Sequence, residues 1–145
     1  MKRLVLLGFL WMLLLGYTQG QQSYNMSNGT VTISCPQTVN FYDPGGPNSN
    51  YSNNSDYTQT FVSSNPSMCL QISFTSFELE YNCNGCTYWD WLEIYDGMSV
   101  NSPRIGDRYG GNSQYGGNRP QTITSTSGAL TFKFHSDGST NKSAA

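Results

Sequence analysis

Alternation of apolar and polar residues is the feature that most limits how this chain can fold. Leu130, Phe132 and Phe134 alternate with polar residues, and residues 91–95 show the same period of two. Successive side chains of a β-strand point to opposite faces of a sheet, so this period is typical of strands with one apolar face. No segment after Gln21 repeats apolar residues at helical spacing over the length of a helix. The pattern therefore predicts an all-β chain.

Turn-rich segments divide the chain into several short predicted strands. Residues 43–55 and 106–118 are rich in Gly, Asn, Ser and Pro, which is typical of loops. One predicted strand contains Val31 and Ile33, and another covers residues 57–62 and is expected at a sheet edge. The other predicted strands cover residues 70–74, 91–95, 121–125 and 129–134. Several short strands at this spacing favour an antiparallel sandwich of two sheets.

The beginning of the chain has the pattern of a secretory signal peptide over residues 1–20. Two basic residues precede an almost wholly apolar run over residues 4–15, and small residues stand at Thr18 and Gly20. Cleavage is therefore predicted before Gln21. The apolar run is shorter than the ~20 residues that a membrane-spanning helix needs. We expect a secreted chain that does not insert into a membrane once its leader is removed.

The charge of the predicted mature chain argues against nucleic acid as a partner. Nine acidic residues oppose five basic ones, a formal charge of −4, and the cations are scattered along the sequence. Nucleic-acid-binding proteins instead present a basic patch. Behind a signal peptide, the Asn-x-Ser/Thr triplets predict a glycoprotein. Their acceptors are Asn25, Asn28, Asn50, Asn53 and Asn141.

Four cysteines in an exported chain favour disulfides over a metal site or a redox centre. Four cysteines allow three pairings. Cys83 and Cys86 flank an Asn-Gly turn, which favours a bridge between them and leaves Cys35 to pair with Cys69. If loop-closure entropy governs the stabilisation by a disulfide, a bridge that closes a loop as long as that between Cys35 and Cys69 stabilises the fold by about 3–4 kcal/mol.

Three acidic residues are predicted to meet at one end of a sheet. Glu80 ends an apolar strand and Asp90 begins the next, so the chain reverses between them. Asp137 follows the strand at 129–134, which ends at the same place if it runs antiparallel to the strand at 91–95. Close carboxylates repel one another unless a cation lies among them, and calcium accepts roughly 6–8 oxygen ligands in irregular loop-built sites. The alternative is that these acids are solvated or cap local turns.

Three motifs, in this order along the chain, resemble the signature of the CUB domain. YSNN at residues 51–54 resembles an early loop of that family. FELE at residues 77–80, followed by WDWLEIYDG at residues 89–97, resembles its core signature. LTFKFHSDGS at residues 130–139 resembles its late strand and loop. The resemblance covers nearly all of the mature chain and implies a jelly-roll-like β-sandwich that binds rather than catalyses.

The resemblance also implies where the domain begins and ends. A lead-in strand is expected over residues 21–34 and a CUB-like domain over residues 35–145. The family continues with a further apolar strand after the SDGS loop, so we expect the C-terminal end to be truncated. An unpaired place in the sandwich would invite pairing with another chain. The cysteines do not lie at the family's positions, so the resemblance does not supply the disulfide pairing.

The resemblance assigns roles to the acids. In calcium-binding members of the family, the residues matching Glu80, Asp90 and Asp137 are ligands, joined by a main-chain carbonyl at the position matching Ser139. The ion is then expected to order loops that grip a basic side chain of an extracellular protein partner. Candidates for the rim of that interface are Tyr88, Trp89 and Tyr109.

Two other functions remain open on the sequence. The chain could be the N-terminal accessory domain of a secreted protease, or it could bind carbohydrate on a platform formed by Trp89, Trp91, Tyr95 and Tyr115. Exposed aromatic residues away from the acids would favour sugar, whereas aromatic residues around the acids would favour a basic protein partner. Catalysis by the chain itself is not expected. His135, Ser136 and Asp137 are consecutive, and neighbouring strand residues point to opposite faces.

Overall fold

The computed structural model of the protein describes residues 21–80, 88–111 and 116–139. In these ranges the chain forms β-strands and one short 3-10 turn, which confirms the predicted all-β fold. No helix of the described residues is long and apolar enough to cross a membrane. The signal peptide, Cys83, Cys86, Tyr115 and Asn141 lie outside the described residues. The elements are β1 Ser23–Asn25, β2 Gly29–Ile33, β3 Asn40–Tyr42, the 3-10 turn Gly46–Asn48, β4 Asp56–Ser63, β5 Gln71–Ile72, β6 Trp91–Asp96, β7 Ile123–Thr124 and β8 Ala129–His135.

One layer of the fold is a four-stranded sheet in the order β2-β4-β8-β6. β8 runs antiparallel to both β4 and β6, whereas β2 joins β4 in parallel with Val31 opposite Phe61. The strand predicted over residues 57–62 is therefore internal, and its predicted place at a sheet edge is wrong. The alternation within that segment could not show that β2, from far earlier in the chain, lies along its other side.

The second layer consists of two small sheets that pack over the four-stranded sheet. β1 pairs with β3 in parallel, and β5 pairs with β7 in antiparallel. The ring centroid of Phe41, on β3, lies 4.8 Å from that of Phe61 and 5.2 Å from that of Phe132. The predicted two-sheet sandwich is confirmed, although two of its strand pairs are parallel.

The predicted alternation places the core correctly. Leu130, Phe132 and Phe134 are buried between the layers. β6 is buried on both faces, because residues 104–109 fold back along it. That segment forms bridges from Tyr109 to Leu92 and from Arg104 to Tyr95. The outer face of β6 is consequently covered by side chains that the sequence places well after it.

A groove separates the two small sheets of the second layer. Residues 36–42 line one side, residues 68–76 line the other, and the core side chains of Phe61, Leu130 and Phe132 lie at its base. Among the described residues, β3 pairs only with β1 and β5 only with β7. The residues that line the groove are uncharged, and polar and apolar side chains are mixed among them.

The predicted bridge between Cys35 and Cys69 is not formed in the structure, where both are free thiols. Cys35 follows β2, and its Sγ lies 3.1 Å from the hydroxyl oxygen of Ser63. Cys69 is exposed ahead of β5, in the other layer. The pairing had been reached by elimination, and spacing along the chain carries no information about which layer each cysteine enters.

Candidate metal centre

Three acidic side chains meet where β6 begins and β8 ends. Asp90 immediately precedes β6, Asp137 follows β8, and Glu80 closes the segment of residues 77–80. One carboxylate oxygen from each residue lies within 4.8 Å of the other two. The structure therefore brings together the three residues that the strand pattern predicted to converge.

Asp90 is the most enclosed of the three acids, with none of its surface exposed to solvent. Its Oδ2 accepts a hydrogen bond from the Tyr51 hydroxyl, and its Oδ1 accepts one from the main-chain N–H of Asp137 at 2.9 Å. Burial raises the pKa of Asp90 above its ordinary value, although these two hydrogen bonds act to lower it. The charge of Asp137 also raises that pKa, which is the sign of repulsion between the two carboxylates.

Tyr51 is a functional residue whose role the sequence did not reveal. Its ring is buried against Phe134, with centroids 5.1 Å apart. Its hydroxyl accepts the main-chain N–H of Glu80 at 3.3 Å while donating to Asp90. One phenol thus fixes the positions of two of the acids. The signal available in the sequence was an aromatic residue at the start of the polar YSNN segment.

Two loops are joined at the centre by hydrogen bonds. The Asn54 N–H donates to the carbonyl of Asp137 at 2.6 Å, and the Asn53 side-chain amide donates to the carbonyl of Gly138 at 2.8 Å. Oδ1 of Asp137 accepts the N–H of Ser139 at 2.8 Å. Ser139 therefore lies beside the acids, where a main-chain ligand is predicted. Its contribution as a ligand stays a prediction.

The donor set fits a hard cation such as calcium. Oxygens bound to calcium lie about 2.3–2.6 Å from the ion, so two oxygens on one ion are at most about 5 Å apart. The three carboxylate oxygens meet that limit. Carboxylates held this close in a largely dry site repel one another, because burial removes the water that would screen them, and a cation among them would offset that repulsion. Glu80 is 6% exposed, so two of the three acids are buried.

Residues 31–144 match the sequence profile of the CUB domain. The chain belongs to the CUB domain family. Human tolloid-like protein 1 is 48% identical over 71 residues, which is 49% of this chain and 6% of that protein. Rat cubilin is 34% identical over 129 residues, 87% of this chain and 3% of that protein. The full extracellular region of zebrafish Gpr126/Adgrg6 superposes with a TM-score of 0.59 at 26% identity, covering 81% of this chain and 13% of that one.

The match therefore concerns one module of these proteins. The chain spans 3–6% of the length of the two curated relatives named above. The shared fold explains why the three motifs of this CUB domain occur in their order along the chain. YSNN shortly precedes β4 and HSDGS begins at the last residue of β8, and both lie near the end of the sheet where the three acids meet. FELE forms no strand in the structure, so the prediction that Glu80 ends a strand is wrong, although Glu80 still lies beside the other two acids.

Of the three aromatic residues predicted at the rim of the centre, only Trp89 is exposed, at 40%. Tyr88 is half-buried, and its hydroxyl accepts the N–H of Asn118 at 3.0 Å. Tyr109 is 7% exposed and belongs to the core, so its predicted place at the rim is wrong. The bridge from Tyr109 to β6 turns its ring inward, which the sequence pattern did not reveal.

The members of the predicted carbohydrate platform that the structure describes, Trp89, Trp91 and Tyr95, do not form a shared exposed surface. Trp91 and Tyr95 are both buried. The ring of Trp91 is stacked on His135 at 5.2 Å and lies 4.1 Å from the guanidinium carbon of Arg108. A sugar would have to displace these neighbours before it could stack on that ring.

The consecutive His135, Ser136 and Asp137 make separate contacts, as expected for a strand. His135 Nδ1 lies 2.8 Å from Oδ1 of Asp56. The hydroxyl of Ser136 donates to the carbonyl of Ser52 at 2.8 Å. Histidine and serine are therefore not arranged as a base and its nucleophile in the described structure. Four of the predicted glycan acceptors lie at exposed positions, namely Asn25, Asn28, Asn50 and Asn53.

Proposed function

We propose that this CUB domain is an extracellular, non-catalytic module that binds another protein with the help of a calcium ion. Glu80, Asp90 and Asp137 would hold the ion, with the main-chain carbonyl of Ser139 as a fourth ligand. The observation that carries this proposal is the convergence of three carboxylate oxygens within 4.8 Å of one another. When bound, the ion would supply the positive charge that the three acids lack and would fix the two loops that carry them.

The charge of such a centre favours a basic group on the partner. Three carboxylates carry three negative charges and calcium carries two positive charges, so one negative charge remains. Trp89 is next to Asp90 in the chain and is 40% exposed. Aromatic rings attract cations over their faces, so a lysine or arginine of the partner would meet both the acids and the ring. Complementary charge would set the specificity and the association rate of the complex.

The extracellular setting is supported by two observations. The first is the signal-peptide pattern at the start of the chain. The second is the similarity of the fold to the extracellular region of Gpr126/Adgrg6. A second candidate function, as the accessory module of a secreted protease, is favoured by the similarity to zinc metalloproteinase nas-39 of Caenorhabditis elegans, which is 33% identical over 89 residues. The binding proposed for the metal centre applies in either setting.

Thermal unfolding with calcium and with a chelator tests the metal centre. A ligand that binds only the folded chain at about 100 times its dissociation constant stabilises it by about 2.7 kcal/mol. We expect calcium to raise the melting temperature of the native chain and not that of Asp90→Asn. Asp107→Asn is the matched control, because Asp107 is exposed and lies outside the centre. An equal shift for native protein and Asp90→Asn would contradict the proposal.

A lysine peptide tests the proposed partner chemistry. Titration with acetyl-tetralysine amide, followed by NMR, is expected to shift the Trp89 indole resonance only when calcium is present. Trp91 provides an internal reference, because its indole is covered by other side chains. Shifts of equal size with calcium and with chelator would show that the peptide binds the acids without any ordered centre, and would remove calcium from the binding function.

A further inference from the structure

Three cations from two separate segments of the chain gather on the outer face of the four-stranded sheet. Arg104, Arg108 and Lys133 surround Trp91 and Glu93, and we call these five residues the basic face. The sequence indicated scattered charge. The cations meet because residues 104–109 fold back along β6 and because β8 pairs with β6 on its other side.

Glu93 is the only acid at the centre of this group, and its acceptor atoms are already engaged. Its Oε1 accepts Nε of Arg108 at 2.9 Å and Nη1 of Arg104 at 3.1 Å, and its Oε2 accepts the hydroxyl of Tyr95 at 2.7 Å. Burial acts to raise the pKa of Glu93, but the hydrogen bonds and nearby arginines outweigh it and lower that pKa. Glu93 is therefore ionised, and a single negative charge faces three positive ones.

Lys133 and Arg108 keep donors available on this face. Lys133 lies directly opposite Glu93 in the strand register, yet its Nζ forms no ion pair with a carboxylate of the described residues. Arg108 is half-exposed and bonds Glu93 through Nε, which leaves its two terminal nitrogens unengaged within the described part of the chain. Both cations cover Trp91, with Nζ of Lys133 5.5 Å and the guanidinium carbon of Arg108 4.1 Å from its ring centroid.

Two further acids near this face, Asp56 and Asp107, compensate little of this charge. Asp56 lies 2.8 Å from Nδ1 of His135 rather than beside one of the three cations, and its side chain is 69% exposed. Asp107 lies 3.5 Å from Nη2 of Arg104, but its side chain is 90% exposed. Exposed ion pairs of that kind contribute about 0–1 kcal/mol and are screened by salt. The basic face thus holds an excess of positive charge over a buried aromatic ring. Arginine and tryptophan are also the residue types that are enriched at the energetic centres of protein interfaces.

We propose that the basic face is a second recognition surface, separate from the metal centre, that binds an acidic side chain of a partner protein. A glutamate or aspartate carboxylate would accept hydrogen bonds from the terminal nitrogens of Arg108 and from Nζ of Lys133. A protein partner is favoured over a polyanionic glycan because the predicted mature chain has a formal charge of −4, which repels a long polyanion at a distance. A single carboxylate feels mainly the local excess of positive charge.

NMR titration with acetyl-tetraglutamate amide at low ionic strength tests this surface. We expect the Trp91 indole and the Arg108 Nε resonances to shift, with the same dissociation constant in calcium and in chelator. Lys133→Gln is expected to weaken binding about fivefold, which corresponds to the upper end of the energy that an exposed ion pair contributes. Arg119→Gln removes the same charge at an exposed position that is not one of the five residues of the basic face. It is the matched control and is expected to change binding less than twofold in this titration.

Three results would overturn the proposal. Equal weakening by Lys133→Gln and Arg119→Gln would show that only net charge matters. Shifts confined to residues other than Trp91 and Arg108 would place the peptide elsewhere. A heparin tetrasaccharide that binds more tightly than the peptide, with the same resonances shifted, would replace a protein partner with a sulfated glycan. Unchanged melting temperatures of both variants would confirm that the comparison is made between folded chains.

Discussion

At the scale of the residue, the metal centre depends on one buried hydroxyl. Tyr51 accepts from the main chain of Glu80 and donates to Asp90, so it joins two segments that carry acids. A buried carboxylate that loses its donor bears the cost of desolvation without compensation. A neutral side chain therefore links the segments of Glu80 and Asp90, while Asp137 is joined to Asp90 through its own main-chain N–H.

Replacing Tyr51 with phenylalanine should destabilise the protein by about 1–3 kcal/mol, because it leaves Asp90 with one buried donor fewer. Urea unfolding measures that loss, and calcium should restore less stability to the variant than to the native chain. Tyr24→Phe serves as the control, since the Tyr24 hydroxyl makes no hydrogen bond to the described residues while its ring packs on Phe61. Equal losses in the two variants would show that the Tyr51 hydroxyl has no special role.

Sequence reasoning at this scale succeeded for the acids and failed for some aromatic residues. Asp90 and Asp137 were predictable because strand alternation fixes where β6 begins and where β8 ends. Glu80 was predicted at the end of a strand, but its segment forms no strand, so only the resemblance to the CUB signature placed it correctly. The burial of Tyr109 and Trp91 was not predictable, because it depends on residues 104–109 covering β6. The exposure of a side chain depends on which residues cover it, and those residues can lie far from it in the sequence.

At the scale of the element, Asp96 ties the end of β6 to the turn before β8. Its carboxylate accepts the main-chain N–H groups of Thr126 and Ser127 at 3.0 and 3.1 Å, together with both of their hydroxyls. Burial acts to raise the pKa of Asp96, but these hydrogen bonds outweigh it and lower the pKa to about 2. The ionised carboxylate thus holds together two turns that flank paired strands.

This depressed pKa predicts a loss of stability in acid. The unfolded chain binds a proton at Asp96 near the ordinary value of 3.8, whereas the folded chain binds it only near 2. The contribution of Asp96 is therefore complete above about pH 4 and is lost as the pH falls toward 2. We expect Asp96→Asn to lower the free energy of unfolding at pH 7 by about 1–2 kcal/mol, after allowance for solvent screening.

Urea unfolding at pH values between 2 and 5 checks this expectation. The difference between the native chain and Asp96→Asn should shrink as the pH falls toward 2. Asp107→Asn, which changes an exposed acid, should show no such convergence. A difference between native and Asp96→Asn that stays constant across this range would contradict the assigned role.

At the scale of the whole molecule, aromatic contacts join the two layers. Phe41, on the short strand β3, packs on Phe61 and Phe132 of the four-stranded sheet. β1 and β3 pair over only three residues each, so the packing of Phe41 attaches their small sheet to the four-stranded sheet. We expect Phe41→Ala to lower the free energy of unfolding by about 2–4 kcal/mol, measured in urea. Phe41→Leu should cost less than half as much, and equal costs would argue against ring packing as the cause.

The fold class was predictable from alternation, but the arrangement of the layers was not. Parallel pairing of β2 with β4, and the division of the second layer into two small sheets, depend on contacts between distant segments. The meeting of Arg104, Arg108 and Lys133 on one face has the same origin. Spacing along a strand predicts which side chains share a face, whereas strand order decides which faces adjoin.

The most direct test of the central claim is a crystal structure grown with calcium, with the ion located by anomalous scattering. We predict one strong peak bounded by carboxylate oxygens of Glu80, Asp90 and Asp137 at about 2.3–2.6 Å. An ion bound elsewhere, or these three acids well ordered with no ion among them at millimolar calcium, would contradict it.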